Sequence, residues 1–282
     1  MNQTLPNAFI FGAGSTGETL LPSLQNEYNI IAFLDNDEQK WNKKLNGFKI
    51  LSPDAITKTE YDYIIIGTNL GESVTKQLLN MGVPNDKIIT GDRITIYAKG
   101  RVAFLEGLKI LFDEMGIKGS VAEGGVFQGD FAKEINRVFS NHKFYLFDTF
   151  EGFDERDVMF EKENKYSTTD AGHFNITSEE MVLNKLPNPD MCIIKKGYFP
   201  DTVNGIDDEF CFVNLDFDLY KPILAGLEYF YPRMVKGGVI LIDDFYASGY
   251  KGAKKAVYDF INKNDEVKIT SIGDNMSVAI CC

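Results

Sequence analysis

The chain has 282 residues, of which 44% are hydrophobic and 13% aromatic, enough apolar material for two packed cores. A formal net charge of -12 at pH 7, with no dense Lys/Arg cluster, argues against a nucleic-acid partner. No apolar stretch approaches the roughly 20 residues of a membrane helix, and MNQTLPNAFIFGAG lacks a leader pattern, so a cytoplasmic location without a membrane partner is expected.

From the start, the spacing predicts a strand at 8–12 (AFIFG), a helix through ETLLPSLQ and a strand at 29–36 (NIIAFLDN). A strand at 61–67 (YDYIIIG), a helix through SVTKQLLNMG and a short strand at 86–90 (DKIIT) follow. Such alternation implies parallel strands joined by right-handed crossovers. A polar connector, GDRITIYAKG, then leads into an amphipathic helix at 101–116, and a domain boundary is expected near residue 98, dividing the chain into 1–98 and 99–282.

Beyond it the alternation restarts, with strands expected at 120–125 (SVAEGG), 143–150 (KFYLFDTF), 192–199 (CIIKKGYF), 210–218 (FCFVNLDFD) and 237–245 (GGVILIDDF). The last two runs, 266–273 and 275–282, are so close that they form an antiparallel hairpin. Of the four cysteines, Cys192, Cys211, Cys281 and Cys282, none has CxxC spacing, and the terminal pair reads as the end of a strand.

In an open parallel sheet, ligands bind beyond the carboxyl ends of the strands. There the chain places Glu123-Gly124-Gly125-Val126-Phe127-Gln128-Gly129, with Asp148 ending the next strand. A tight turn without a ligand explains the glycines alone equally well, but Asp148 is positioned for ribose hydroxyls. Two acids without a phosphate-binding lysine suit S-adenosylmethionine, a cation lacking pyrophosphate, better than a dinucleotide.

Two further strands end in Asp216 and in the adjacent Asp243 and Asp244. Three converging carboxylates repel unless a cation sits among them, and a hard divalent ion such as Mg²⁺ would resolve that. The alternative is that Asp243 and Asp244 cap the following turn or stay solvated while Asp216 pairs with an arginine. Asp218 is a weaker member of the group, and His173, in the polar stretch 166–181, is a candidate base on a lid over the acceptor.

With VAEGGVFQG, LFDTFEGF, GYFPDT, LDFDLY, YPRMVKGGVILIDDF and YKGAKKAVYDF in this order, residues from about 100 to 282 resemble the macrocin O-methyltransferase (TylF-like) family. The resemblance implies an α/β protein of two Rossmann-like domains, the second a class I methyltransferase fold: a mostly parallel seven-stranded sheet closed by an antiparallel hairpin. It implies S-adenosylmethionine bound by Glu123, Gly125, Gly129, Asp148 and Thr149, and Mg²⁺ held by Asp216, Asp243 and Asp244, with Asp216 as base. The implied activity is methylation of a sugar hydroxyl, on a nucleotide-linked or other acceptor, in polysaccharide or glycosylated-metabolite biosynthesis; a homodimer is a family expectation. Gly124-Gly125-Val126-Phe127 stands where the family commonly has Cys-Gly-Val-Trp.

The front of the chain carries FGAGSTG after a strand, and Asp35 further on, the spacing of a dinucleotide fingerprint. Through FGAGSTGETLL, IIAFLDNDEQKWNKKLNGFKILSP and YDYIIIGTN it resembles the small Rossmann-like domains that begin many polysaccharide-biosynthesis proteins. Nucleotide or nucleotide-sugar docking and a structural or dimerising role both suit it. An NAD-dependent nucleotide-sugar oxidoreductase or epimerase is weakened by the absence of a YxxxK pair, and a non-catalytic nucleotide-binding module would bind without turnover.

Overall fold

Short runs rich in Ile, Phe and Leu, bounded by Gly, Asn and Asp, become the strands of both parts of the chain. The computed structural model describes residues 5–25, 27–68, 71–89 and 92–282, and contacts divide the chain into Met1–Ile96 and Tyr97–Cys282. Residue 90, the last of the strand expected at 86–90, and residue 69 of YDYIIIGTN lie outside the described residues.

The first unit contains β1 (Asn7–Phe11), α1 (Ser15–Leu24), β2 (Asn29–Leu34), β3 (Lys44–Leu45), β4 (Phe48–Leu51), β5 (Tyr63–Ile66), α2 (Gly71–Asn80) and β6 (Ile88–Ile89). Its sheet order is β3-β4-β2-β1-β5-β6, with only the β3–β4 pair antiparallel among the described residues. Phe9, Phe11, Ile64 and Ile66 pack into one core while Ile10, Phe33 and Ile65 pack into another, as expected of parallel strands buried on both faces. The β3–β4 hairpin was not expected, although its signal is present: Asn46-Gly47, at φ 48° and 88°, makes the tight turn that Asn-Gly favours.

In this unit the fingerprint glycines have packing reasons of their own. A Cβ on Gly12, at φ 118°, would sit 2.4 Å from the Gly67 carbonyl oxygen, and one on Gly17 would sit 2.0 Å from that of Gly12. The Asp35 carboxylate accepts from the Ala13 and Asp37 N–H groups at 2.8 and 2.9 Å and from Lys40 Nζ at 3.0 Å. Burial works against its charge, but these donors hold it below the usual aspartate value. Close chain crossing and a tied-down turn therefore account for this spacing.

The second unit comprises most of α3 (Asp92–Met115, whose first residues fall in the first unit), β7 (Ser120–Gly124), α4 (Asp130–Val138), β8 (Phe144–Asp148), α5 (Glu155–Asn164), α6 (Glu179–Lys185), β9 (Cys192–Lys196), β10 (Phe210–Leu215), α7 (Tyr220–Phe230), β11 (Met234–Ile242), α8 (Lys251–Ile261), β12 (Ile269–Ser271) and β13 (Val278–Cys281). The sheet order is β12-β13-β11-β10-β7-β8-β9: parallel from β11 to β9, with β13 antiparallel to both β11 and β12. This is the mostly parallel, hairpin-closed α/β sheet that the sequence implied. Alternate residues of each central strand face opposite cores, Phe147, Val213 and Ile240 one way, Leu146, Phe212 and Leu241 the other. One element departs from expectation. The polar connector GDRITIYAKG is helical from Asp92, since it contains no proline, and Gly100 is used to let the helix lie against Asp274 (3.1 Å from an added Cβ to the Asp274 Cβ).

Candidate active site

The carboxyl ends of β8, β7, β10 and β11 lie side by side, and strand order reverses at β7, where the chain continues to β8 on one side and β10 arrives on the other. Register aligns Glu123 with Asn214 and pairs Leu215 with both Gly124 and Ile242, so the residues just beyond these ends converge. The turns are interlocked through the backbone. Gly125 N–H donates to Phe147 O at 2.9 Å, Asp216 N–H to Gly124 O at 2.7 Å, and Asp243 N–H to Leu215 O at 2.9 Å. Gly125, at φ 82°, lies so close to this crossing that a Cβ there would be 1.9 Å from the Asp216 carbonyl oxygen.

Glu123 is 1% exposed; its Oε1 accepts from Asn214 Nδ2 at 2.9 Å, while its Oε2 is buried without a hydrogen-bond partner. Burial pushes this carboxyl up to about 8, against the pull of Arg101 and Asn214. The unfolded chain releases that proton near the ordinary value of 4.5, so between the two values the folded protein holds more protons. This contribution to stability is complete below pH 4.5 and lost as pH rises through 8. Glu123→Gln is therefore expected to flatten the fall in urea-unfolding free energy between about pH 5 and pH 8 by up to roughly 4 kcal/mol, compared with wild type without added ligand.

Asp148 is engaged with the backbone around it. Its Oδ2 accepts from the Val126 and Phe127 N–H groups at 2.7 and 2.9 Å, and its Oδ1 from Phe150 N–H at 2.7 Å. The carboxylate thus shapes the glycine turn, while spare lone pairs on both oxygens remain able to accept from a ligand. Gly129, at φ 79°, caps α4 and lies against Val182. The Thr149 hydroxyl is committed to its own turn, donating to Gly152 O at 2.7 Å.

Asp216, Asp243 and Asp244 do meet, but not as three free ligands. Arg101, 4% exposed on α3, donates from Nη1 to Asp243 Oδ2 at 2.7 Å, from both Nη atoms to Asp216 Oδ2 at 3.3 and 3.2 Å, and from Nη2 to Asn214 Oδ1 at 2.9 Å. The pairing of Asp216 with an arginine, raised as the alternative to a metal, is what the structure contains. The Ser277 hydroxyl lies between Asp243 Oδ1 (2.9 Å) and Asp274 Oδ2 (2.7 Å) and donates to one at a time. Asp218 and Asp244, both at left-handed φ (62° and 54°), share a carboxyl–carboxyl hydrogen bond. Among the described residues no three His, Cys, Asp or Glu groups are arranged to hold a metal ion.

The electrostatics are those of crowded acids. Burial first, and Asp243 second, push Asp216 well above the usual carboxylate range; burial and Asp244 do the same to Asp218, and burial and Asp243 bring Asp244 to about 6. The left-handed φ of Asp218 and Asp244 is one that aspartate tolerates better than most side chains, and it turns the chain sharply just past the strand ends.

The segment expected to act as a lid is fastened over this end of the sheet. Thr177 Oγ1 donates to Phe127 O, Gln128 Nε2 to Ile176 O at 2.9 Å, and Phe153 N–H to His173 O at 3.0 Å. Rings run from Phe127 to Phe174 (5.0 Å between centroids), Phe153 (5.3 Å) and Tyr250 (6.0 Å). Tyr250 is held protonated by burial and by the charges of Asp218 and Asp244. His173 is solvent-exposed, and its ring lies tilted against Phe174, with centroids 4.2 Å apart.

Beneath the lid, Glu161 of α5 is fully buried: its Oε1 accepts from Tyr220 N–H at 2.8 Å, and a Cβ on Gly252 would approach it to 2.3 Å. One carboxyl thereby lies against the first turns of α7 and α8, which follow the two acidic loops, and burial raises it above the usual glutamate range. Neither Arg101 nor Glu161 was singled out from the sequence.

Residues 94–279 match the model of the family described as Macrocin-O-methyltransferase (TylF), and residues 5–89 match that described as C2185-like, N-terminal. A curated relative from Streptomyces olivaceus, 8-demethyl-8-(2,3-dimethoxy-alpha-L-rhamnosyl)-tetracenomycin-C 4'-O-methyltransferase, is 25% identical over 160 residues. That match covers 51% of this chain and 59% of the relative, so the chain spans little more than half of its length. Two solved structures share the fold. The O-methyltransferase NovP aligns with a TM-score of 0.52 at 20% identity, over 64% of this chain and 79% of its own. CalS11, a calicheamicin methyltransferase, aligns at 0.55 and 16%, over 76% and 93%.

Proposed function

The chain belongs to the macrocin-O-methyltransferase (TylF) family, and from that premise we propose that it is an S-adenosylmethionine-dependent O-methyltransferase acting on a sugar hydroxyl. The observation that carries this reading is the interlock at the switch point: the glycine turn beside Glu123 and Asp148 hydrogen-bonds directly to the acidic turn at Asp216. The turn that would carry the cofactor and the acid that would accept a proton are thereby held together by backbone.

Glu123, with its unpartnered buried oxygen, Gly125, Gly129, Asp148 and Thr149 would surround the cofactor. Asp216, Asp243 and Asp244 match Mg²⁺ in donor type and charge, being acids whose mutual repulsion a divalent cation would relieve, although Arg101 holds two of them as they stand. Bound there, S-adenosylmethionine supplies an electrophilic methyl group, and a divalent ion supplies polarisation of the acceptor hydroxyl. Asp216 would accept the proton that the acceptor hydroxyl gives up when its oxygen takes the methyl group. Asp216 is preferred over His173 because its backbone is hydrogen-bonded to the glycine turn at Gly124, whereas His173 is exposed on the lid. Phe127, Phe153 and Phe174 would exclude water and offer faces to a sugar ring.

Isothermal titration of S-adenosylmethionine into wild type, Asp148→Ala and Asp148→Asn, with and without Mg²⁺, tests the reading. Saturable binding by wild type is expected, at least about tenfold weaker in both variants through the loss of charge-assisted hydrogen bonds. No binding by wild type, or binding of NAD alone, would overturn it.

A further inference from the structure

Arg101 deserves a role that the reading above does not give it. A guanidinium is seldom buried without function or partners, and this one lies within hydrogen-bond reach of both Asp216 and Asp243, two of the oxygens a divalent cation would need. Its plane stacks on Phe131 at 3.9 Å, and its Nη2 already touches Asn214. Asn214 in turn donates to Glu123, whose second oxygen is buried and without a hydrogen-bond partner. One hydrogen-bonded step from where the guanidinium rests is thus a buried carboxyl oxygen without a hydrogen-bond partner, which an arriving guanidinium would ionise.

We propose that Arg101 is an internal cation that exchanges with the divalent ion: it holds Asp216 and Asp243 until the ion enters, and then turns along Asn214 toward Glu123. This rests on the reading of the aspartates as a divalent-cation site. The physics is competition for the same lone pairs. While the guanidinium occupies them, the ion-competent arrangement is a minority of the population, and apparent affinity falls in proportion to that fraction. The same movement would carry positive charge to the Glu123 carboxyl beside the cofactor turn, so that ion loading alters the cofactor site through one side chain.

The experiment is calorimetric titration of Mg²⁺ into the full-length protein as wild type, Arg101→Met, Arg101→Lys and Glu123→Gln, with S-adenosylmethionine titrated separately into wild type. Arg101→Met keeps the apolar stem over Phe131 and removes the competitor, and it should bind Mg²⁺ about tenfold or more tightly than wild type. It should also unfold at lower temperature without Mg²⁺ and gain more from its addition. Arg101→Lys, with a point charge in place of the fork, should fall between the two and serves if Arg101→Met does not fold. Glu123→Gln should weaken Mg²⁺ binding by removing the receiving carboxylate. Binding by Arg101→Met with none by wild type would also support exchange. Equal or weaker Mg²⁺ binding in both Arg101 variants, or none in any protein, overturns it. The methyltransferase reading is judged separately, by whether wild type binds S-adenosylmethionine.

Discussion

Asp216→Asn is expected to leave a folded, cofactor-binding protein whose turnover is about 10²- to 10⁴-fold slower, the range for loss of a positioned base. Asparagine has the same shape, and its Oδ1 can still accept from Arg101, which now sits 3.2 and 3.3 Å from Asp216 Oδ2. What disappears is one of several buried like charges whose repulsion, added to burial, raises Asp216 well above the ordinary range. Without Mg²⁺ the variant should therefore melt at the same temperature as wild type or higher. Release of S-adenosylhomocysteine over a panel of sugar acceptors, alongside thermal melting and S-adenosylmethionine titration, checks all three points. A purely structural Asp216 would show the opposite pattern, with stability and turnover falling together.

Gly125→Ala should be the most damaging single methyl group in the second unit. The added Cβ would lie 1.9 Å from the Asp216 carbonyl oxygen and 2.5 Å from its carbon, on a residue at φ 82°. Backbone strain alone costs about 1–3 kcal/mol, and the collision is with main chain that is itself hydrogen-bonded to Gly124. A loss above roughly 3 kcal/mol follows, a drop in melting temperature of more than about 6 °C, with S-adenosylmethionine affinity falling beyond tenfold. Gly205→Ala is the control. It has a similar φ of 76° but meets nothing within 4 Å, so it should cost only about 1 kcal/mol and leave binding unchanged. If the two variants melt alike, the crossing at Gly125 does not hold the turn as described.

Much of the frame was legible because its signals are local. Apolar runs that end in Glu123, Asp148, Asp216 and Asp243 announce both the strands and the chemistry at their ends, and a short spacer between the last two runs forces the antiparallel pair of β12 and β13. The Asn46-Gly47 hairpin carried an equally local signal that went unread. The helical start at Asp92 was obscured by polar residues that disfavour no particular backbone state strongly enough to decide it.

The sequence by itself determined the alternation of strands and helices, the order of acids at the strand ends and the family to which the second unit belongs. Only tertiary structure decided who partners those acids. Arg101 reaches Asp216 across 115 residues and Asp243 across 142, and Glu161 reaches Tyr220 across 59; no periodicity or spacing encodes such pairings. Charge repulsion states that a buried acidic cluster needs a cation, but not which one. The fold brings a guanidinium, and because Coulomb attraction acts through space and not along the chain, that choice becomes visible only once α3 has packed against the ends of β10 and β11.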